Sequence, residues 1–193
     1  MRKTIKYSFN KQFHILRHFS KIDDDYRSEL KTNTNFTEEE INNQLSISGS
    51  KFYHEFASNP IQLWNKIQSH EEFNFQYINL WKKNRAEILL FFNQDDYPNG
   101  IANNALVKVD DLPAEKKALL KQQDRDGFIV KHLSFDTPMP SWQLNIILIN
   151  EKEPGVITIF PGIYAPPLPN PKLMQSAELE KSKLFWEQYA FVD

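Results

Sequence analysis

The 193-residue chain contains no cysteine, which excludes disulfides and thiolate metal ligands and leads to the expectation of a reducing, cytoplasmic location. Glycine is scarce, with 5 residues, and the phosphate-cradling patterns GxxxxGKS/T and GxGxxG and the nucleophile elbow GxSxG are all missing. Kinase, simple NTPase and dinucleotide dehydrogenase chemistry are thereby set aside. No window approaches the roughly 18 consecutive apolar residues of a membrane span. The basic start Met1-Arg2-Lys3-Thr4-Ile5-Lys6-Tyr7 runs into Asn10, Lys11, Gln12 and His14 instead of the apolar stretch of a signal peptide. No membrane partner is expected. Charge of one sign is lacking too: 23 basic and 25 acidic residues leave a formal net charge of -2, so any phosphate-binding surface has to be local.

What the chain does have is rings. Hydrophobic residues make up 40% and aromatic residues 13%, including 15 Phe, 7 Tyr and 4 Trp, enough for one core at this length. The reading is a single domain, 1–193, with a helical part over about 1–85 and a sheet-containing part over about 86–193. Apolar residues at helical spacing, Phe13, Leu16 and Phe19 and then Ile61, Trp64 and Ile67, mark helices in the first part. Thr37-Glu38-Glu39-Glu40 is a capping box, with Phe36 and Ile41 placed for the accompanying hydrophobic staple. Asn59-Pro60 opens a further helix.

From Glu87 onward the pattern changes. Ile88-Leu89-Leu90-Phe91-Phe92 predicts a buried strand closed by a turn-rich loop to Gly100, and 105–109 another strand. A helix is expected over about 111–123, ended by the turn Asp124-Arg125-Asp126-Gly127. Strands are expected over 128–133, 142–149 and 156–160, the last two forming a hairpin through 150–155. The five prolines of 161–171 predict an extended strap, and 176–192 a closing helix. The fold class is α+β: N-terminal helices, an antiparallel sheet, a Pro-rich strap and a C-terminal helix.

Alternation along the hairpin places Trp142, Leu144, Ile146 and Leu148 on one face with Ile157 and Ile159 as the matching apolar pair. That register leaves Thr158, Gln143 and Asn145 together on the other face, either facing water or arranged around a ligand. His132 shares a strand face with Phe128 and Val130. It is either a hydrogen-bonded core residue or a general acid or base beside Lys131 or Arg125. His14 and His18 have i, i+4 spacing, but no carboxylate completes a metal motif, so both are read as surface residues and no metal site is expected.

The segment from His132 through Thr158-Ile159-Phe160-Pro161-Gly162 resembles the C-terminal half of small metal-independent RNase toxin domains of the barnase, EndoU, colicin and RelE type. The resemblance covers about residues 86–170. It implies helices followed by an antiparallel sheet, RNA as substrate, no cofactor, and a cognate inhibitor or antitoxin as protein partner. By position it implies His132 and Thr158 facing a cleft, with Tyr164 as a third member. A metal-independent endoribonuclease toxin would then use His132 for proton transfer, Lys131 or Arg125 on the phosphate and Thr158 for positioning, with Tyr164, Gln143 and Asn145 on the substrate. The competing reading, drawn from the many Trp and Tyr residues beside few catalytic candidates, is a non-enzymatic protein-binding module: an immunity protein, antitoxin or accessory protein.

Overall fold

The computed structural model describes residues 5–74, 85–134, 139–149 and 154–192. The chain packs as two compact units, Met1–Asn103 with Pro140–Gly162, and Asn104–Met139 with Ile163–Asp193. The change from helices to strands expected near residue 85 is present, with the first strand starting at Arg85; the border between the units crosses the chain at three other points. The short strands β2 (Ala102–Asn104) and β6 (Met139–Ser141) lie at two of them.

The first unit sets helices against a three-stranded antiparallel sheet. Its helices are α1 (Phe9–Ile15), α2 (Asp24–Asn33), α3 (Glu38–Ser46) and α4 (Pro60–Ser69). Its sheet has the order β1 (Arg85–Phe91), β7 (Gln143–Ile149), β8 (Gly155–Pro161). The capping box forms as its sequence predicts: Thr37 Oγ1 accepts from the Glu40 amide at 3.2 Å and the Thr37 amide donates to Glu40 Oε2 at 2.7 Å. Phe36 lies flat against Phe13, with ring centroids 3.6 Å apart. Helix and sheet side chains share one core that contains Leu16, Leu30, Ile41, Leu63 and Ile67 with Ile88, Leu90, Leu144, Ile146 and Ile159.

Two polar side chains pin the helical part. Asp23 caps α2 by accepting from the Tyr26 amide at 2.8 Å, and its other oxygen accepts from Ser58 Oγ at 2.8 Å and Asn59 Nδ2 at 2.7 Å. Asn59 in turn caps α4 through the Gln62 amide, so one carboxylate ties together the starts of two helices. Lys51 donates to the carbonyl oxygens of Arg17 at 2.7 Å, Leu45 at 2.8 Å and Phe19 at 3.3 Å. Those groups are the chain ends left over where helices stop.

The antiparallel pair β7–β8 departs from the expected register, and the loop expected over 150–155 lies mostly outside the described residues. Ile146 pairs with Ile159 and Ile147 with Thr158, but Leu148 pairs with Val156, leaving Ile157 in a bulge. Val156, 1% exposed, therefore takes the core position expected for Ile157. The bulge reverses the alternation on one side only, so Thr158 still shares a face with Asn145 and Gln143.

The second unit holds a four-stranded sheet of order β3 (Leu106–Lys108), β9 (Tyr189–Val192), β5 (Phe128–Leu133), β4 (Lys121–Arg125). Its pairs are antiparallel apart from β5 with β9, which is parallel. Two expectations are corrected here. The helix expected over 111–123 is a single turn, α5 (Ala114–Lys117), followed by β4. Residues 114–119 bury no side chain that could hold a longer helix, whereas Asp126-Gly127, with φ of 54° and 80°, makes the two-residue turn that matches strand twist and folds 121–125 back on β5. The closing helix expected over 176–192 is α6 (Ser176–Gln188), which stops four residues short. Tyr189-Ala190-Phe191-Val192 is rich in aromatic and β-branched residues and enters the sheet as β9. The architecture is α+β with mainly antiparallel sheets. Among the described residues no helix is long and apolar enough to cross a membrane.

The Asp23 carboxyl feels burial, which pushes its pKa up, but the hydrogen bonds from Asn59, the Tyr26 amide and Ser58 outweigh it and hold the group below its ordinary 3.8. A depressed carboxyl pKa contributes stability that is present above the unfolded value and lost as pH falls through the folded one. Asp23→Ala is expected to lower unfolding free energy at pH 7 by about 1–2 kcal/mol, with the difference from the parent shrinking below about pH 4. Denaturant titrations at pH 7 and pH 3 measure both; an equal loss at the two pH values would contradict the role assigned to the ionised carboxylate.

Candidate functional site

The residues singled out from the sequence divide between the two units. Thr158, Gln143 and Asn145 belong to the first; His132, Lys131, Arg125 and Tyr164 belong to the second.

In the first unit, the face shared by the polar trio is not an open sheet surface. Asn145 is 8% exposed and Ile147 4%. The Asn145 side-chain amide donates to the Gly162 carbonyl at 2.6 Å, with a longer contact to Phe160 O at 3.5 Å. Gly162, at φ 82°, sits in a conformation natural to glycine, and its amide donates to the Gln143 carbonyl at 2.9 Å. Asn145 thus works as an internal clamp on the end of β8. Gln143 and Thr158 are half-buried, with Thr158 opposite Ile147.

His18, read from the sequence as a surface residue, is half-buried. Its Nδ1 lies 3.1 Å from the Ser50 carbonyl oxygen and its ring centroid 6.0 Å from that of Phe160. Burial, against the opposing pull of the Ser50 carbonyl, lowers its pKa to about 4, and the charges of Arg17 and Lys51 add to the lowering. It is neutral at pH 7, donating from Nδ1. His14 and His54 are exposed, and His70 has Nε2 3.2 Å from the Phe91 carbonyl oxygen. Among the described residues no cluster of His, Asp and Glu could hold a metal ion.

In the second unit, His132 and Lys131 are neighbours on β5 and therefore face opposite sides of the sheet. The Lys131 ammonium donates to the Glu187 carbonyl near the end of α6, a favourable place for a cation. Arg125 and His132 share the other side. Arg125 lies over the Phe191 ring, 4.0 Å from its centroid, and Phe191 is the register partner of His132. His132 and Arg125 are both half-buried.

One concave feature of this unit carries no mark in the sequence. A cavity of about 640 Å³ opens between the Pro-rich strap and α6, walled by Pro166, Pro167, Leu168, Pro169, Leu173 and Met174, with Asp126, Glu178 and Lys181 at its polar positions. The strap is held against the helix by its own carbonyl: Pro167 O accepts from Ser182 Oγ at 2.6 Å and from Trp186 Nε1 at 3.4 Å. Ser182 and Trp186 stand one helical turn apart, so a single face of α6 makes both bonds. Ile163, Ala165 and Leu168 of the strap pack with Leu106, Val130 and Trp186. That leaves Tyr164 pointing outward, 46% exposed, and Leu173 at the rim of the cavity, 83% exposed. The expectation of an extended, ordered strap is met; the polar anchor Ser182 gave no signal beyond its spacing from Trp186.

No family model, no curated protein and no solved structure matches this chain.

Two outcomes follow from this geometry. Asn145→Ala is expected to cost about 1–3 kcal/mol of stability, because it leaves the Gly162 carbonyl buried without its donor; an unchanged urea midpoint would remove the clamp role. For His18, the folded state resists a proton that the unfolded chain accepts near pH 6.5. Its contribution to stability is therefore complete above that value and lost between about pH 6.5 and 4. Proton NMR titration of the ring is expected to place its midpoint near 4, and a midpoint above 6 would refute the desolvated, neutral assignment.

Proposed function

We propose that this chain is a non-enzymatic protein-binding module, and that the cavity between the strap and α6 receives an apolar side chain of an extended partner segment. The observation that carries this reading is the combination of a proline-walled cavity of about 640 Å³ with a leucine, Leu173, left 83% exposed on its rim. Such a volume suits a few side chains. Prolines give walls that lose little freedom on binding, because their backbone is already restrained. An exposed leucine beside a concavity is the type of residue that a partner covers, and covering it contributes about 1.5–3 kcal/mol. The mixed charges Asp126, Glu178 and Lys181 fit a polar rim that fixes orientation. An immunity protein, an antitoxin or an accessory protein fits this description.

A second reading keeps the RNase-toxin resemblance and is favoured by one observation. Arg125, Phe191 and His132 share a side of the second unit's sheet, which offers a cation, a ring and a proton carrier to a single-stranded RNA. Thr158, Gln143 and Asn145, in the first unit, and Lys131, on the opposite side of the strand, stand outside that trio, as does the outward-pointing Tyr164.

One pair of experiments separates the two. Panning the purified protein against a random peptide library is expected to enrich segments with an apolar anchor, whose affinity falls about tenfold or more in Leu173→Asp. Because Leu173 is exposed, that variant should unfold at the parent's temperature. RNA incubated with the protein in a chelator should remain intact. Failure to enrich any motif sensitive to Leu173→Asp would count against the binding module, and chelator-resistant cleavage abolished by His132→Ala would establish the ribonuclease instead.

A further inference from the structure

We propose that a second, smaller cavity, in the first unit and independent of the strap, binds an aliphatic ammonium group. This cavity of about 340 Å³ lies between the turn carrying Tyr53, Glu55 and Phe56 and the turn running from Asp96 to Gly100. The two turns are stitched together and internally closed. The Tyr53 amide donates to the Ile101 carbonyl at 2.9 Å, the Phe56 amide to Tyr53 O at 3.0 Å and the Gly100 amide to Tyr97 O at 2.9 Å. Gly100 has φ 86°, and a Cβ there would meet Ser141 O at 2.9 Å, so the second turn is fixed where it approaches the sheet.

Three aromatic residues line the cavity: Tyr53, Phe56 and Tyr97. Phe56 is 2% exposed and forms the floor, with the Tyr97 ring edge-on to it at 5.2 Å. Two carboxylates, Glu55 and Asp96, complete the lining, and both are exposed at the mouth. Among the described residues neither is in an ion pair, and no lysine or arginine lines the cavity. The negative field reaches inward: the Tyr53 hydroxyl is held above its ordinary 10.0 first by burial and then by the charge of Glu55.

Ring faces attract cations through their quadrupole, and paired carboxylates at the mouth add an attraction that a neutral or anionic ligand cannot use. The chain supplies its own example of the affinity. The ammonium of Lys66, which is not among the lining groups, lies 5.1 Å from the Phe56 centroid and 5.4 Å from that of Tyr97, and donates to the Tyr97 hydroxyl at 3.1 Å. A ligand ammonium in the cavity would meet Phe56 and Tyr97 together with Tyr53, and the charges of Glu55 and Asp96 would offset the repulsion from Lys66. Methylated or alkylated ammonium groups fit best, since the apolar substituents gain from the rings while the charge stays within reach of the carboxylates.

The structure also provides a reporter. The Trp142 indole N–H donates to the Tyr97 carbonyl at 2.7 Å, so a ligand seated on Tyr97 should shift the Trp142 indole signal in a proton–nitrogen NMR spectrum of the full chain. Tetramethylammonium chloride, titrated at low ionic strength, is expected to give a saturable shift of that signal. The neutral isostere tert-butanol should give none. The double variant Glu55→Gln, Asp96→Asn, in which both changed side chains are exposed, should keep the parent's unfolding temperature and bind tetramethylammonium at least about fivefold more weakly. A non-saturating response, an equal response to tert-butanol, or an unchanged affinity in the double variant would overturn the proposal.

Discussion

The second unit depends on one strand entering the middle of its sheet. β9 pairs antiparallel with β3 on one side and parallel with β5 on the other. Without it, β3 and the β4–β5 hairpin have no common ladder, and each would present an unpaired edge. The insertion also sets what stands around it. Ala190 is fully buried at the centre, Phe191 stacks on Trp186 at 4.7 Å and carries Arg125 above it, and Val192 donates its amide to Ala105 O. Since α6 runs directly into β9, fixing the strand fixes the helix, and through Ser182 and Trp186 it fixes the strap. The cavity walls are thus a remote consequence of a parallel strand pair.

In the first unit the division of labour is different. Burial of aliphatic and aromatic groups supplies the non-directional part of the stability, and rings meet edge-on in the Phe56, Phe92 and Tyr97 group. Direction comes from a small set of buried or half-buried polar side chains. Asp23, Asn59, Lys51 and Asn145 each satisfy backbone groups that helix ends or strand ends leave open, and in doing so they fix which end meets which. Asn145 is the instructive case. A polar residue at the centre of a strand suggests a ligand from the sequence, and its ligand proves to be the chain's own carbonyl.

Features governed by neighbours along the chain were readable in advance. The capping box at Thr37, the Asn59-Pro60 helix start and the strands around Leu90, Val130 and Ile146 rest on patterns of three or four residues, and each forms. The strap followed from the fixed φ and missing amides of its prolines. What escaped was governed by distant partners. Residues 189–192 continue the aromatic pattern of α6 and become a strand only because β3 and β5 leave a gap for them. Residues 121–125 are polar throughout and carry no alternation, so only the Asp126-Gly127 turn declares them a strand. The bulge at Ile157 depends on how β8 meets β7, and a sequence of three apolar-compatible positions, Val156, Ile157 and Ile159, does not say which one yields. Among the candidate residues, the shared side of Arg125 and His132 follows from the turn register, whereas the cavity beside Leu173 arises from Ser182, a serine in mid-helix whose hydroxyl reaches the strap.

The three places at which the chain crosses between its units make the two halves interleaved in sequence. Residues 140–162 complete the first unit's sheet, yet they are flanked on both sides by segments of the second. During synthesis the first unit therefore cannot close its core until β7 and β8 have emerged, by which time the residues of β4 and β5 have already been made and those of β9 have not. Neither unit exists as an uninterrupted stretch that could be cut out, exchanged or duplicated as a cassette. Any evolutionary rearrangement of this chain by shuffling would have to move both units together.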